Sequence, residues 1–224
     1  MSLLRRLTRR PEPGRAVPGW GKSGQLDRPW REAEFAVIDL ETTGLDLRRD
    51  EIVSYGGVLV QAGRVIAGSA VYGLVKPRGP VSRAAVEVHA LRPEELDDAP
   101  DLAACATALA ELMSGRVLVA HAAWVERAFI GRALGEIGLR LAGPVVDTAA
   151  LAREAMVVSD RLEGEPALEA LAVTVGMPVH TPHHALGDAL TTATVFLALT
   201  SRLERREPQT VRTLAAVSSR RSLH

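Results

Sequence analysis

The segment Phe35-Ala-Val-Ile-Asp-Leu-Glu41 constrains this 224-residue chain more than any other. Its first four residues are apolar on both faces, the pattern of a strand covered on both sides in the middle of a sheet. The run then ends in two acids at i and i+2. Side chains two apart on a strand point the same way, so Asp39 and Glu41 share one face. Two carboxylates side by side against an apolar sheet repel each other and lose hydration. A divalent cation with hard oxygen ligands is the natural counter-charge. On its own, a D-x-E pair also suits a solvent-exposed strand end. The turn that follows, Thr42-Thr43-Gly44, adds hydroxyls and backbone N–H groups beside the acids.

The elements around this strand define the architecture. Residues 51–60 and 64–75 read as two strands joined by a tight hairpin at Gln61-Ala62-Gly63. A helix over 101–113 precedes a strand at 116–120 and a second helix over 124–138. Val145-Val146 reads as a buried strand, and Asp147-Thr148 caps the next helix. Helices over 167–176 and 185–205 complete the set. A meander followed by alternating helices and strands predicts an α/β fold, a mixed β-sheet flanked by helices.

Charge divides the chain into three. Lys+Arg and Asp+Glu each total 27, yet residues 1–32 hold eight basic against three acidic side chains, and residues 201–224 hold six against two. The body between is therefore acidic, and the balance excludes a histone-like cationic binder. With its prolines and its glycines at 14, 19, 21 and 24, segment 1–32 reads as a flexible basic arm, in which Arg5, Arg6, Arg9, Arg10 and Arg15 suit phosphate attraction or docking to a partner. Residues 33–203 form the predicted domain, and 204–224 read as a helix end and a loose basic tail. The single cysteine, Cys105, has no internal disulfide partner, and no cysteine or histidine cluster suggests zinc. The opening MSLLRRLTRR lacks a secretory apolar core, and no apolar run is long enough for a membrane span. These features predict a cytoplasmic protein away from membranes, of a length that suits a monomer.

A second cluster lies far along the chain, at His183-His184-Ala-Leu-Gly-Asp188. With His183 in the loop after Pro182 and Asp188 in the opening turn of a helix, both can face one centre. Taken alone, Asp188 also fits an ordinary helix-start charge.

At this point the sequence resembles the DEDDh 3′–5′ exonucleases, the group of the epsilon subunit of bacterial DNA polymerase III. The run from Phe35 to Leu45 resembles their first motif. Val117-Leu-Val-Ala-His121-Ala-Ala-Trp-Val-Glu126 is similar to the second, and His183-x4-Asp188 to the third. Val88-His89-Ala-Leu91 with Pro93-Glu-Glu-Leu96 and Asp98-Ala-Pro100 matches a further segment common in the group. The likeness covers residues 34–200 and implies a ribonuclease H-like fold. It also implies that Asp39, Glu41 and Asp188 hold one Mg²⁺ or Mn²⁺, that Asp39 bridges to a second ion, and that His183 is the general base. Thr42, Thr43 and Leu45 would line the pocket of the terminal nucleotide. One departure stands out: the group's second motif reads H-N-x-x-F-D, and here Glu126 takes the place of the Asp, with Ala122 and Val125 for the Asn and Phe. Glu keeps the charge but adds a methylene, which predicts reduced or altered activity.

The remaining candidates have ordinary explanations beside functional ones. The spacing selects His183 over His184. His121 is expected near the site in a structural, hydrogen-bonded role, with substrate contact as the other reading. His89 either touches substrate or closes a turn. A helix cap accounts for Asp147. Trp124 is expected in the core, although a base could stack on it. The implied substrate is a single-stranded 3′ end of DNA, with RNA open, and a polymerase subunit is the implied partner. The alternative is a catalytically weakened module that binds single-stranded ends or a polymerase, supported by Glu126.

Overall fold

The computed structural model describes residues 14–18, 25–159 and 164–221. In chain order its elements are β1 (Arg15–Ala16), a 3-10 turn (Trp30–Glu32), β2 (Glu34–Thr42), β3 (Ile52–Gln61), β4 (Arg64–Leu74), α1 (Arg83–His89), α2 (Pro93–Leu96), α3 (Leu102–Met113), β5 (Val117–Ala120), α4 (Trp124–Glu136), β6 (Leu139–Arg140), β7 (Val145–Asp147), α5 (Thr148–Glu154), α6 (Leu168–Thr174), α7 (Ala185–Glu204) and α8 (Val211–Arg221). The main sheet runs β4-β3-β2-β5-β7, with β2, β3 and β4 antiparallel and β5 and β7 parallel to β2. This is the mixed α/β sheet that the sequence predicts, with β2 central. Among the described residues no helix is long and apolar enough to cross a membrane.

The period-2 rule sorts β2 onto two cores. Ala36, Ile38 and Leu40 pack with α3 and α4, alongside Leu109, Phe129 and Ile130. Phe35 and Val37 pack on the other side with α7, where the Phe35 and Phe196 rings lie 4.8 Å apart. Asp39 and Glu41 continue that second row, so they emerge beneath α7. The hairpin between β3 and β4 turns through Ala62 and Gly63, both left-handed (φ 49° and 69°), as a two-residue turn matched to strand twist requires. Asp101 caps α3 by accepting the Ala104 N–H, and Asp147 caps α5 by accepting the Ala149 N–H, each at 2.9 Å.

Both predicted tails depart from expectation. Within 1–32, β1 pairs in parallel with β6, and Val17 and Trp30 are buried. The Trp30 indole packs edge-on against Phe196 and donates to Glu204 at 2.8 Å. Arg5, Arg6, Arg9 and Arg10 lie outside the described residues. At the other end, 204–224 is no loose tail through residue 221: α8 buries Val211, Leu214 and Val217. The two ends hold each other. The backbone of 26–30 bonds that of 209–212, and Asp27 pairs with Arg212 at 2.7 Å. A local window of sequence does not register such a pairing, because each half is too short to show its own periodicity.

The approach of α7 to the sheet has one tight point. A Cβ on Gly56 in β3 would lie 2.2 Å from the Leu186 nitrogen and 2.3 Å from the Ala185 carbonyl carbon. Backbone cannot swing aside as a side chain does, so Gly56→Ala should push α7 off the sheet and destabilise the fold by about 1–3 kcal/mol or more. Gly68→Ala, in β4 with nothing within 4 Å of the added carbon, should change stability little. Thermal melts of the two variants check this; equal melting temperatures would contradict it.

Candidate active site

The site forms where β2 ends and α7 begins. Pro182 disfavours helix before it, and the chain turns at His183, which is left-handed at φ 57°. His184 then caps α7, its Nδ1 accepting the Gly187 N–H at 3.4 Å. Gly187 is pressed against Thr181, whose carbonyl oxygen would meet an added Cβ at 2.3 Å. These constraints set Asp188 in the first turn of α7, facing the sheet. Asp39, Glu41 and Asp188 each bring a carboxylate oxygen to within 4.8 Å of the others.

Such crowding is electrostatically costly. Burial, the largest cause, and the nearby charges of Glu126, Asp188, Glu41 and Glu169 push the Asp39 carboxyl well above the usual carboxylate range. Burial and Asp188 raise Glu41 to about 7. Asp188 rises to about 6 through burial, against which the backbone N–H groups of His183 and His184 and the His183 charge pull it down. Glu126 is 4% exposed and is pushed up to about 8, mainly by burial, with Asp147 and Glu41 adding to it. One oxygen each of Asp188 and Glu126 is buried without a hydrogen-bond partner. Converging carboxylates with bare oxygens fit a divalent cation, and among the described residues no basic side chain forms a salt bridge with them.

The other predicted residues fall in and around this centre. His183 is exposed and close enough to Asp188 for its charge to be felt. Glu126, in the first turn of α4, stands beside Asp39 but outside the three-acid set within 4.8 Å. The Thr42 hydroxyl donates to the Gly44 carbonyl at 2.7 Å, and the Thr43 hydroxyl donates to Asp50 at 2.9 Å. Both hydroxyls thus hold the loop that carries Leu45, which is 70% exposed. His121 is engaged at both nitrogens: Nε2 donates to the Pro166 carbonyl at 2.7 Å and Nδ1 meets the Thr148 hydroxyl at 2.9 Å. His89 closes a turn, its Nδ1 accepting the Leu91 N–H at 3.0 Å.

Three features of the site differ from or exceed the sequence reading. Trp124 is not a core residue; it opens α4 and is 46% exposed. Asp147 caps its helix as expected, but its charge also bears on Glu126. The parallel register sets it beside Ala120 at the end of β5. Glu169 in the first turn of α6 lies near enough for its charge to raise both Asp39 and Asp188, and no local pattern marks it.

Known proteins resemble this chain. The chain is 35% identical over 189 residues to a DNA polymerase III subunit epsilon-like protein of Rhodobacter capsulatus, covering 83% of this chain and 26% of that one. It is 30% identical over 172 residues to the PolC-type DNA polymerase III of Thermotoga maritima, covering 76% of this chain and 12% of the relative. It therefore spans about a quarter or less of these relatives' length. Exonuclease X, solved with 5′-overhanging duplex DNA, superposes with a TM-score of 0.63 at 23% identity, over 82% of this chain and 99% of the other. Exonuclease I of E. coli with a dA16 oligonucleotide gives 0.65 at 16% identity, over 77% and 42%. At such identities these two show the shared fold. Residues 36–196 match the family described as Exonuclease, and with the motifs and the acid cluster in place the chain belongs to that family.

Proposed function

We propose that the chain is a metal-dependent 3′–5′ exonuclease that releases nucleoside 5′-monophosphates from single-stranded ends of DNA. The observation that carries this reading is the meeting of Asp39, Glu41 and Asp188, from opposite ends of the domain, beside an exposed histidine. The DNA bound by Exonucleases X and I and the polymerase III relatives favour DNA over RNA as the polymer. Asp39, Glu41 and Asp188 would hold one Mg²⁺ or Mn²⁺, and Glu126, with its bare oxygen next to Asp39, would support a second. When bound, such ions supply Lewis-acid stabilisation of the phosphate and of the attacking and leaving oxygens.

The chain's own residues do the rest. His183, exposed beside Asp188, takes a proton from the attacking water. The water oxygen bonds to phosphorus and the bond to the preceding 3′-oxygen breaks, and that oxygen takes up a proton from solvent to become the new 3′-hydroxyl of the shortened strand. Leu45 on its tied loop and Trp124 at the amino end of α4 offer apolar surface to the terminal bases. A cytoplasmic location and a polymerase partner fit the relatives' names and belong to the same proposal.

A digest of 5′-labelled single-stranded DNA and RNA oligonucleotides, with Mg²⁺, Mn²⁺ or EDTA, tests the reading. It predicts an EDTA-sensitive ladder shortening from the 3′ end of DNA, abolished in Asp39→Ala and slowed about 10²–10⁴-fold in His183→Ala. Binding of the strands without cleavage under either metal would instead support the weakened module, a reading favoured by the placement of Glu126 outside the three-acid set.

The raised acids also set the pH dependence of stability. Their folded pKa values lie above the unfolded ones, so the cation-free fold holds protons that the unfolded chain releases. Stability is then lost as pH rises through the folded values. In EDTA the melting temperature should fall between about pH 5 and about pH 8. Mg²⁺ should reduce the fall, and Asp188→Asn should melt higher than wild type at the alkaline end. A melting temperature that rises with pH in EDTA would contradict the charge assignment.

A further inference from the structure

One cross-strand row links the acids to the far edge of the sheet. Asp39 in β2 pairs with Gly56 in β3, and Gly56 pairs with Tyr72 in β4. Partners in register project to the same face, so Tyr72 stands on the acidic face with the glycine notch between it and Asp39. The first residues of α7 fill that notch. On its far side the Tyr72 ring stacks on the His184 ring, centroids 4.4 Å apart and planes 22° from parallel.

His184 is therefore fixed twice, by that stack and by its cap on Gly187. Its neighbour His183 has no such support. His183 is left-handed, a conformation uncommon for residues with a side chain. Among the described residues no hydrogen bond to its imidazole is found, and the ring is exposed. Yet this turn aims the backbone N–H groups of His183 and His184 at Asp188. The residue that follows the turn is the clamped one.

We propose that Tyr72 is a positioning residue: through its stack on His184 it holds the turn that places His183 and Asp188 over the acid pair. The role of His183 as base rests on the exonuclease reading, whereas the clamp on the turn does not. Flat contact is what the clamp requires, so phenylalanine should serve where alanine does not.

Full-length Tyr72→Ala, Tyr72→Phe and His184→Asn test this, the last keeping a capping oxygen while removing the ring. With single-stranded DNA and Mg²⁺, Tyr72→Ala and His184→Asn should lower kcat about 10-fold or more with KM nearly unchanged. Tyr72→Phe should recover most of the loss. Hydrogen–deuterium exchange over residues 181–187 should quicken in Tyr72→Ala and His184→Asn and stay at the wild-type rate in Tyr72→Phe. Wild-type exchange in Tyr72→Ala would overturn the proposal, as would a kcat loss that Phe does not recover. If wild type cleaves no strand, the exonuclease reading fails and the exchange comparison alone decides the clamp.

Discussion

A side chain at position 56 would occupy the space held by the backbone of Ala185 and Leu186. The approach of α7 to the sheet therefore depends on a glycine in β3, and the meeting of Asp188 with Asp39 and Glu41 depends on that approach. The two halves of the acid cluster are separated by most of the domain in sequence. Only the register Asp39–Gly56–Tyr72 and the seating of α7 over its middle bring them together. The fold here is an instrument for holding like charges at short range.

Holding them costs stability, and the remainder of the structure offsets that cost. Phe35, Val37 and Phe196 pack the apolar continuation of the acidic row under α7. The 3-10 turn at Trp30 and helix α8 close the same core from the two ends of the chain, joined by backbone bonds and by the pair Asp27–Arg212. Ser218 of α8 accepts the Asp147 N–H at 2.8 Å, so this latch reaches the edge of the site.

Much of this is legible in the sequence, for identifiable reasons. The central strand shows itself by an apolar run that ends in acids, and period 2 alone assigns those acids to one face. Caps at Asp101 and Asp147 and the left-handed turn at Ala62-Gly63 mark element ends through local chemistry. Asp188 and His183 emerge from spacing and from resemblance. What stays hidden is non-local. Val17 and Trp30 lie in a segment whose burial is decided by residues more than a hundred positions away. Tyr72 gains meaning only from the register that faces it to Gly56, and Glu169 only from the packing of α6 near α7. Trp124 follows the same rule in reverse, since it opens α4 just past the end of β5 and is left in solvent rather than in the core.

The central claim is that these carboxylates are a cation site, and a titration of Mn²⁺ followed by electron paramagnetic resonance tests it without any substrate. The account predicts saturable Mn²⁺ binding to the wild-type chain that Asp188→Asn abolishes, whereas Glu126→Gln removes at most a second, weaker equivalent. Free Mn²⁺ signal undiminished by stoichiometric wild-type protein, or binding that survives Asp188→Asn unchanged, would contradict it.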